Sequence, residues 1–176
     1  MPNQYFTFNR DKAIEVIIYI ARHISDPTLH SVSKLLYFAD KTHLEKYGRF
    51  ICGDTYYAME YGPVPTNVYK LLKESVEGDP VDNAFKVDNG REVVALRDPI
   101  LDTLSESDLE CLDQSISMYG HVPVWRRTQD SHDEAWRTAW EKRGSKQTNE
   151  MRLEDIAHML EDSEDLINHL NNQYPD

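Results

Sequence analysis

The chain is poor in cysteine, has no long apolar run and carries fewer basic than acidic residues, and each shortage removes a class of function. Cys52 and Cys111 stand in unrelated contexts without a paired His or Cys nearby. They make neither a disulfide framework nor a zinc knuckle and read as reduced packing residues. No window approaches the roughly 20 apolar residues that span a bilayer, and the N-terminal MPNQYFTFNRDK lacks the apolar core and cleavage site of a signal peptide. A soluble, cytoplasmic protein with no membrane partner is expected. Nineteen Lys and Arg face 31 Asp and Glu, a formal charge of −12 that repels a phosphate backbone, so nucleic acid is an unfavourable partner. HExxH, a Gly-rich phosphate loop, a nucleophile elbow and a paired CxxC are all missing, which leaves no catalytic, cofactor-binding or metal-ligating set to name.

What is present suits one compact domain. With 176 residues, 40% of them hydrophobic, the chain can bury a sizeable core and is short for two domains. A single unit over residues 1–176 is expected, with a motif-bearing core at about 10–145 and an acidic C-terminal helix at about 150–172. Charge is uneven: residues 1–50 hold seven Lys/Arg against five Asp/Glu, whereas residues 150–176 hold one against eight. An acidic tail is a solvated helix face or a contact for a basic protein partner.

The dominant period is helical. Asn9 can cap a first helix whose Ile14, Ile17, Ile18, Ala21 and Ile24 form one stripe ending near Ser25-Asp26-Pro27. Thr28 can cap a second, through Leu29, Val32, Leu35, Leu36, Ala39 and Leu44, closed by Gly48. A third carries Val68, Leu71, Leu72 and Val76 and stops at Glu77-Gly78-Asp79-Pro80. Asn89-Gly90 between two β-prone runs predicts a hairpin over 84–96. Ser105 with Asp108 forms a capping pair for a helix to Gly120, a short helix follows Pro123, and another covers 133–143 with Trp136 and Trp140 on one face. Residues 144–149 read as loop, and a last helix is expected over 153–170. The fold class is mainly α, a multi-helix domain with a small antiparallel hairpin.

The stretch from Lys34-Leu35-Leu36-Tyr37-Phe38-Ala39-Asp40 through Tyr47-Gly48, Gly53-Asp54, Tyr57-Ala58-Met59, Tyr61-Gly62-Pro63-Val64-Pro65 and Tyr69 resembles the SocA-like Panacea antitoxin domain. Ser131-His132 and Glu134-Ala135-Trp136 are similar to that family's later signature. The resemblance implies an antitoxin that neutralises a cognate toxin by direct protein contact. One branch of the family implies an alternative, a proteolytic adaptor that hands its toxin to a Clp-type protease, here through an exposed terminus such as residues 171–176. Lesser alternatives are a DNA-binding autoregulator and a metal or hydrolytic enzyme in which His43 joins Asp40 with Asp54 or Glu60.

Read physically, Gly62, Pro63 and Pro65 stiffen a corner that aims the third helix, with Pro65 at its first position or Thr66 as its cap. Tyrosines crowd there, and Tyr combines a large rigid face with a polar tip suited to binding. Tyr56, Tyr57, Glu60, Tyr61, Pro63, Val64, Thr66 and Tyr69 are therefore the candidate partner-binding residues. On a strand-like 56–60 run Tyr56, Ala58 and Glu60 face one way and Tyr57 and Met59 the other. Lys34, Tyr37, Asp40, Gly53, Asp54, Met59, Gly62, Pro65, His132 and Trp136 are expected to be scaffold. Asp40 and Asp54 are expected to pair with Lys34, Lys41 or Arg49 or to cap backbone turns, and His132 and Asp133 to cap or orient the Trp136 helix.

Overall fold

The computed structural model describes residues 5–75 and 78–173. Asn9 ends the extended lead-in, and its Oδ1 accepts from the Lys12 amide at 3.0 Å to start α1 (Arg10–His23). The apolar stripe is present, yet every residue from Ala13 to Ile20 is buried, Glu15 included, because α1 is covered on several sides rather than one. Thr28 caps α2 (Leu29–Tyr47) through the Ser31 amide at 3.1 Å. Gly48, at φ 74°, returns its N–H to Leu44 O at 2.9 Å and closes it.

α2 organises the molecule. Val32, Leu35, Leu36 and Ala39 join α1 in one hydrophobic cluster, and Tyr37, Phe38 and Leu44 turn into a second. From Ser31 to Asp40 every residue of α2 is buried, so the polar side chains of that stretch must find partners inside, while its last turn exposes Glu45, Lys46 and Tyr47.

The segment read as a stiff corner is a strand. β1 (Tyr56–Met59) and β2 (Gly62–Pro65) form an antiparallel hairpin registered Tyr56↔Pro65, Tyr57↔Val64, Ala58↔Pro63 and Met59↔Gly62. β5 (Asn149–Glu150), which starts at the last residue of the segment expected to be loop, pairs with the other side of β1. β2 is therefore an edge, the position in a sheet that tolerates two prolines without ladder donors.

α3 (Thr66–Glu74) follows at once, and its cap comes from neither of the two expected residues. Pro65 precedes the helix with no capping side chain, and Thr66 Oγ1 donates to Thr55 O at 2.9 Å. Asp54 does the capping: Oδ2 accepts from Val68 N at 2.8 Å, and Oδ1 from Asn67 N at 3.0 Å and Thr55 N at 2.7 Å. A carboxylate facing the amides of a helix start is doubly favoured, by hydrogen bonding and by the helix dipole. Asp54→Ala is expected to lower stability by about 2 kcal/mol in urea unfolding, with Asp54→Asn recovering part of it. Val76 and Glu77, expected at the end of this helix, lie outside the described residues, as do residues 174–176 of the terminus.

β3 (Phe85–Asp88) and β4 (Glu92–Ala95) form the expected hairpin. Asn89 and Gly90 both take positive φ, 53° and 63°, and Arg91 N returns to Asp88 O at 3.0 Å, the type I′ geometry an Asn-Gly pair favours. Leu29 N donates to Arg91 O and Val93 N to Pro27 O, so the hairpin is fastened to the start of α2. α4 (Glu106–Tyr119) opens with a complete Ser105/Asp108 capping box. α5 (Val124–Ser131) and α6 (Glu134–Lys142) come next, with Asp133 Oδ1 capping α6 at Trp136 N.

The single last helix expected over 153–170 is two: α7 (Leu153–Ala157) and α8 (Ser163–Gln173). The chain folds back through Asp162 at φ 51°, so that Leu153, Ile156 and Leu170 all reach the second cluster, which one straight helix could not do. The fold is mainly α with minor β. Among the described residues no helix is long and apolar enough to cross a membrane.

Candidate functional site

Polar residues along α2 fasten it to the sheet and to α5–α6. Lys34 is 1% exposed, and its Nζ donates to Pro63 O at 2.9 Å. Burial brings its ammonium pKa down to about 7, with no ion pair to a carboxylate among the described residues. Tyr37 OH donates to Asp133 Oδ2 at 2.6 Å, and Lys41 reaches the same oxygen at 3.1 Å. Asp40 is fully buried; it accepts from Ile51 N at 2.7 Å and from Tyr56 OH at 2.6 Å.

Neither Asp40 nor Asp54 pairs with Lys34, Lys41 or Arg49. The backbone alternative holds, since both carboxylates serve amides. Arg49 instead meets Asp108, at 3.0 Å.

The second family-like patch is part of the same construction. His132 lies flat on Trp136, ring centroids 3.7 Å apart, and Trp136 Nε1 donates to Met59 O at 2.9 Å. Gly53 (φ 68°) and Gly62 (φ 109°) let backbone pass where a side chain would strike Thr7 O in one case and Ser131 and Lys34 in the other. Pro65 is buried directly before α3.

Sequence patterning did not reveal Arg127. It is 2% exposed, paired with Asp26 at 2.8 Å and donating to Ser31 Oγ and Tyr119 O, so it ties α5 to the α1–α2 connection.

What these residues leave outside is a cleft of about 890 Å³ between the β1–β2 turn, α3, the β3–β4 tip and the end of α6. Tyr61 stands at its mouth, 63% exposed, beside Glu60 and Met59. Val64, Tyr69, Leu29 and Trp140 give it apolar and aromatic walls, and Lys73, Arg91, Arg143 and Lys146 give it positive charge.

Four expected contact residues, Glu60, Tyr61, Val64 and Tyr69, thus come together. Four do not. Tyr56 is 1% exposed with its hydroxyl held by Asp40, and Pro63 is buried with its carbonyl held by Lys34. Thr66 is occupied with Thr55, and Tyr57 sits on β1 opposite Glu150. The alternation expected for the strand is observed: Tyr56 and Ala58 point inward and Met59 outward, but Glu60 belongs to the turn and is exposed. Lys73, Arg91 and the Arg143/Lys146 pair come from three separate segments, so no local pattern announced the cluster. Within one segment, Arg143 lies 3.5 Å over the ring of Trp140, three residues before it in sequence.

His43 does not join Asp54 or Glu60. Its Nδ1 meets Arg49 O at 2.9 Å and its Nε2 meets Ser107 Oγ at 3.0 Å, with Asp108 at 3.3 Å. Among the described residues no three His, Cys, Asp or Glu side chains group as a metal site.

No curated protein and no solved structure matches the chain significantly. The family model for the antitoxin SocA-like, Panacea domain does match, over residues 32–137, which takes in α2 from Val32 onward, the β1–β2 hairpin and the Trp136 patch. That span is more than half of the 176 residues, and the chain belongs to the SocA-like Panacea antitoxin family.

Proposed function

We propose that the chain is the antitoxin of a toxin–antitoxin pair and that it neutralises its toxin by direct, non-enzymatic protein contact through the Tyr61 face. The observation that carries this reading is the division of labour within the family segment. Lys34, Tyr37, Asp40, Asp54 and Tyr56 are buried and hydrogen-bonded to the scaffold, whereas Glu60, Tyr61, Val64 and Tyr69 converge on one open cleft. An exposed tyrosine beside apolar walls is the kind of residue on which binding energy concentrates.

Co-expression with the protein encoded beside it tests the reading. Growth should be rescued and the two proteins should copurify, while Tyr61→Ala should weaken the complex by about tenfold or more. Absence of both rescue and copurification from the wild type would refute an antitoxin role. Retention of full affinity by Tyr61→Ala would move the contact elsewhere on the surface.

A further inference from the structure

Acids outnumber bases so heavily in this chain that a cation easily finds a carboxylate. Eleven of the 19 Lys and Arg do so. Of the eight that make no ion pair among the described residues, five line the one cleft: Lys34, Lys73, Arg91, Arg143 and Lys146. Among the described residues Glu60 is the single carboxylate on its walls. These cations arrive from α2, the end of α3, the β3–β4 tip and the segment after α6, so the fold itself assembles them. Two are steadied by rings instead of acids: Lys73 Nζ lies 5.3 Å over Tyr69, and Arg143 stacks on Trp140. Lys73, Arg91, Arg143 and Lys146 outnumber Glu60 on these walls and repel one another in the free protein, and an anion entering the cleft reverses that cost.

The walls restrict which anion fits. An open, partly apolar cleft suits a stretch of polypeptide with a nonpolar anchor side chain better than a bare inorganic ion. A long polyanion such as RNA would meet the net charge of −12 everywhere outside the cleft. β2 runs along the site, but Pro63 and Pro65 lack N–H groups, so main-chain strand addition has little to bind. The geometry points to this cleft as the dock for an acidic segment of the partner protein, Asp or Glu residues flanking an apolar or aromatic side chain that packs against Tyr61, Val64 and Tyr69. The inference rests on the antitoxin reading and adds to it the chemistry of the partner.

The test measures affinity for the neighbouring gene product by calorimetry with the full chain. A cleft set, Lys73→Glu with Arg91→Glu and Lys146→Glu, is compared with a control set that makes the same change in net charge at exposed, unpaired cations outside the cleft: Lys70→Glu, Arg137→Glu and Lys142→Glu. All six residues are exposed, and equal melting temperatures confirm that both sets fold. The cleft set should lose about 100-fold in affinity and the control set less than about threefold, while Glu60→Gln should gain a few-fold. Equal losses in both sets, no loss in the cleft set, or weakening by Glu60→Gln overturns the inference and leaves the antitoxin reading standing. A salt-sensitive dimer of the wild type alone, abolished by the cleft set, assigns the cleft to a second copy and also overturns it. A wild type that binds no neighbouring product overturns both readings.

Discussion

Gly62→Ala is expected to destabilise the protein by about 3–5 kcal/mol, enough to leave a small domain barely folded. Gly62 opens β2 at φ 109°, a backbone conformation that L side chains rarely adopt. Space is lacking as well. A Cβ built there lies 2.5 Å from Ser131 Oγ and 2.8 Å from Lys34 Cε. Neither neighbour can swing away, because both are buried, Ser131 Oγ donates to Thr128 O at 2.8 Å, and Lys34 Nζ is held by Pro63 O. Strain and overpacking therefore fall on the same atom. Gly90 is the control: it also has positive φ, at 63°, but nothing lies within 4 Å of its added Cβ. Gly90→Ala should cost only about 1 kcal/mol. Urea unfolding of the two variants separates backbone strain from packing, and Gly62→Ala in a Ser131→Ala background should regain part of the loss. If Gly62→Ala unfolds no earlier than Gly90→Ala, Gly62 is not the pivot that lets β2 lie against α2 and α5.

Gly62 also marks where the sequence was legible and where it was not. Signals that act within one helical turn or one tight turn were readable: Asn9, Thr28 and the Ser105/Asp108 box cap the predicted helices, and Asn89-Gly90 makes the predicted turn. Signals that act across the fold were not. Asp54 caps a helix whose amides lie 13 and 14 residues away, over an intervening hairpin, so no capping window could find it. Two prolines read as a corner because strand propensity does not know which strand will be an edge. The break between α7 and α8 comes from a core that has to be reached twice, while the apolar spacing along 153–170 is compatible with one helix. The site divides the same way. Tyr61 and Tyr69 were visible as clustered aromatics, whereas Arg91 and Lys146 gained meaning only when a hairpin tip and a loop were brought to one cleft.

The stability of Asp40→Asn relative to wild type is expected to rise by on the order of 4 kcal/mol between pH 4 and pH 7 and to level off above. Burial is the main cause, and the nearby carboxylates of Asp54 and Asp108 add to it. Against these, the Tyr56 hydroxyl and the Ile51 amide favour the ionised form, and the carboxyl ends up at about 7. The folded pKa is thus above the unfolded value near 3.8, so between about pH 4 and 7 the folded state keeps a proton that the unfolded chain has released. Stability from this group is full below that window and is lost as pH rises through it. Asn has the same shape, can still accept from Ile51 N, offers its NH2 to the Tyr56 oxygen, and cannot titrate. Its curve should therefore lack the decline.

Asp108 titrates in another window and with the opposite sign. Burial alone would raise it, but hydrogen bonds from His43, Lys12 and the Ser105 amide outweigh burial and hold it well below the usual carboxylate range. Its contribution disappears only in acid, below about pH 4, and is common to both proteins. Tyr56→Phe provides a check on cause. Losing the hydroxyl removes a donor to the ionised carboxylate, so the decline should extend beyond pH 7. Parallel unfolding curves for wild type and Asp40→Asn from pH 4 to pH 8 would mean that Asp40 ionises inside the folded protein as easily as outside it, and that its two hydrogen bonds, rather than the dry interior around them, decide its charge.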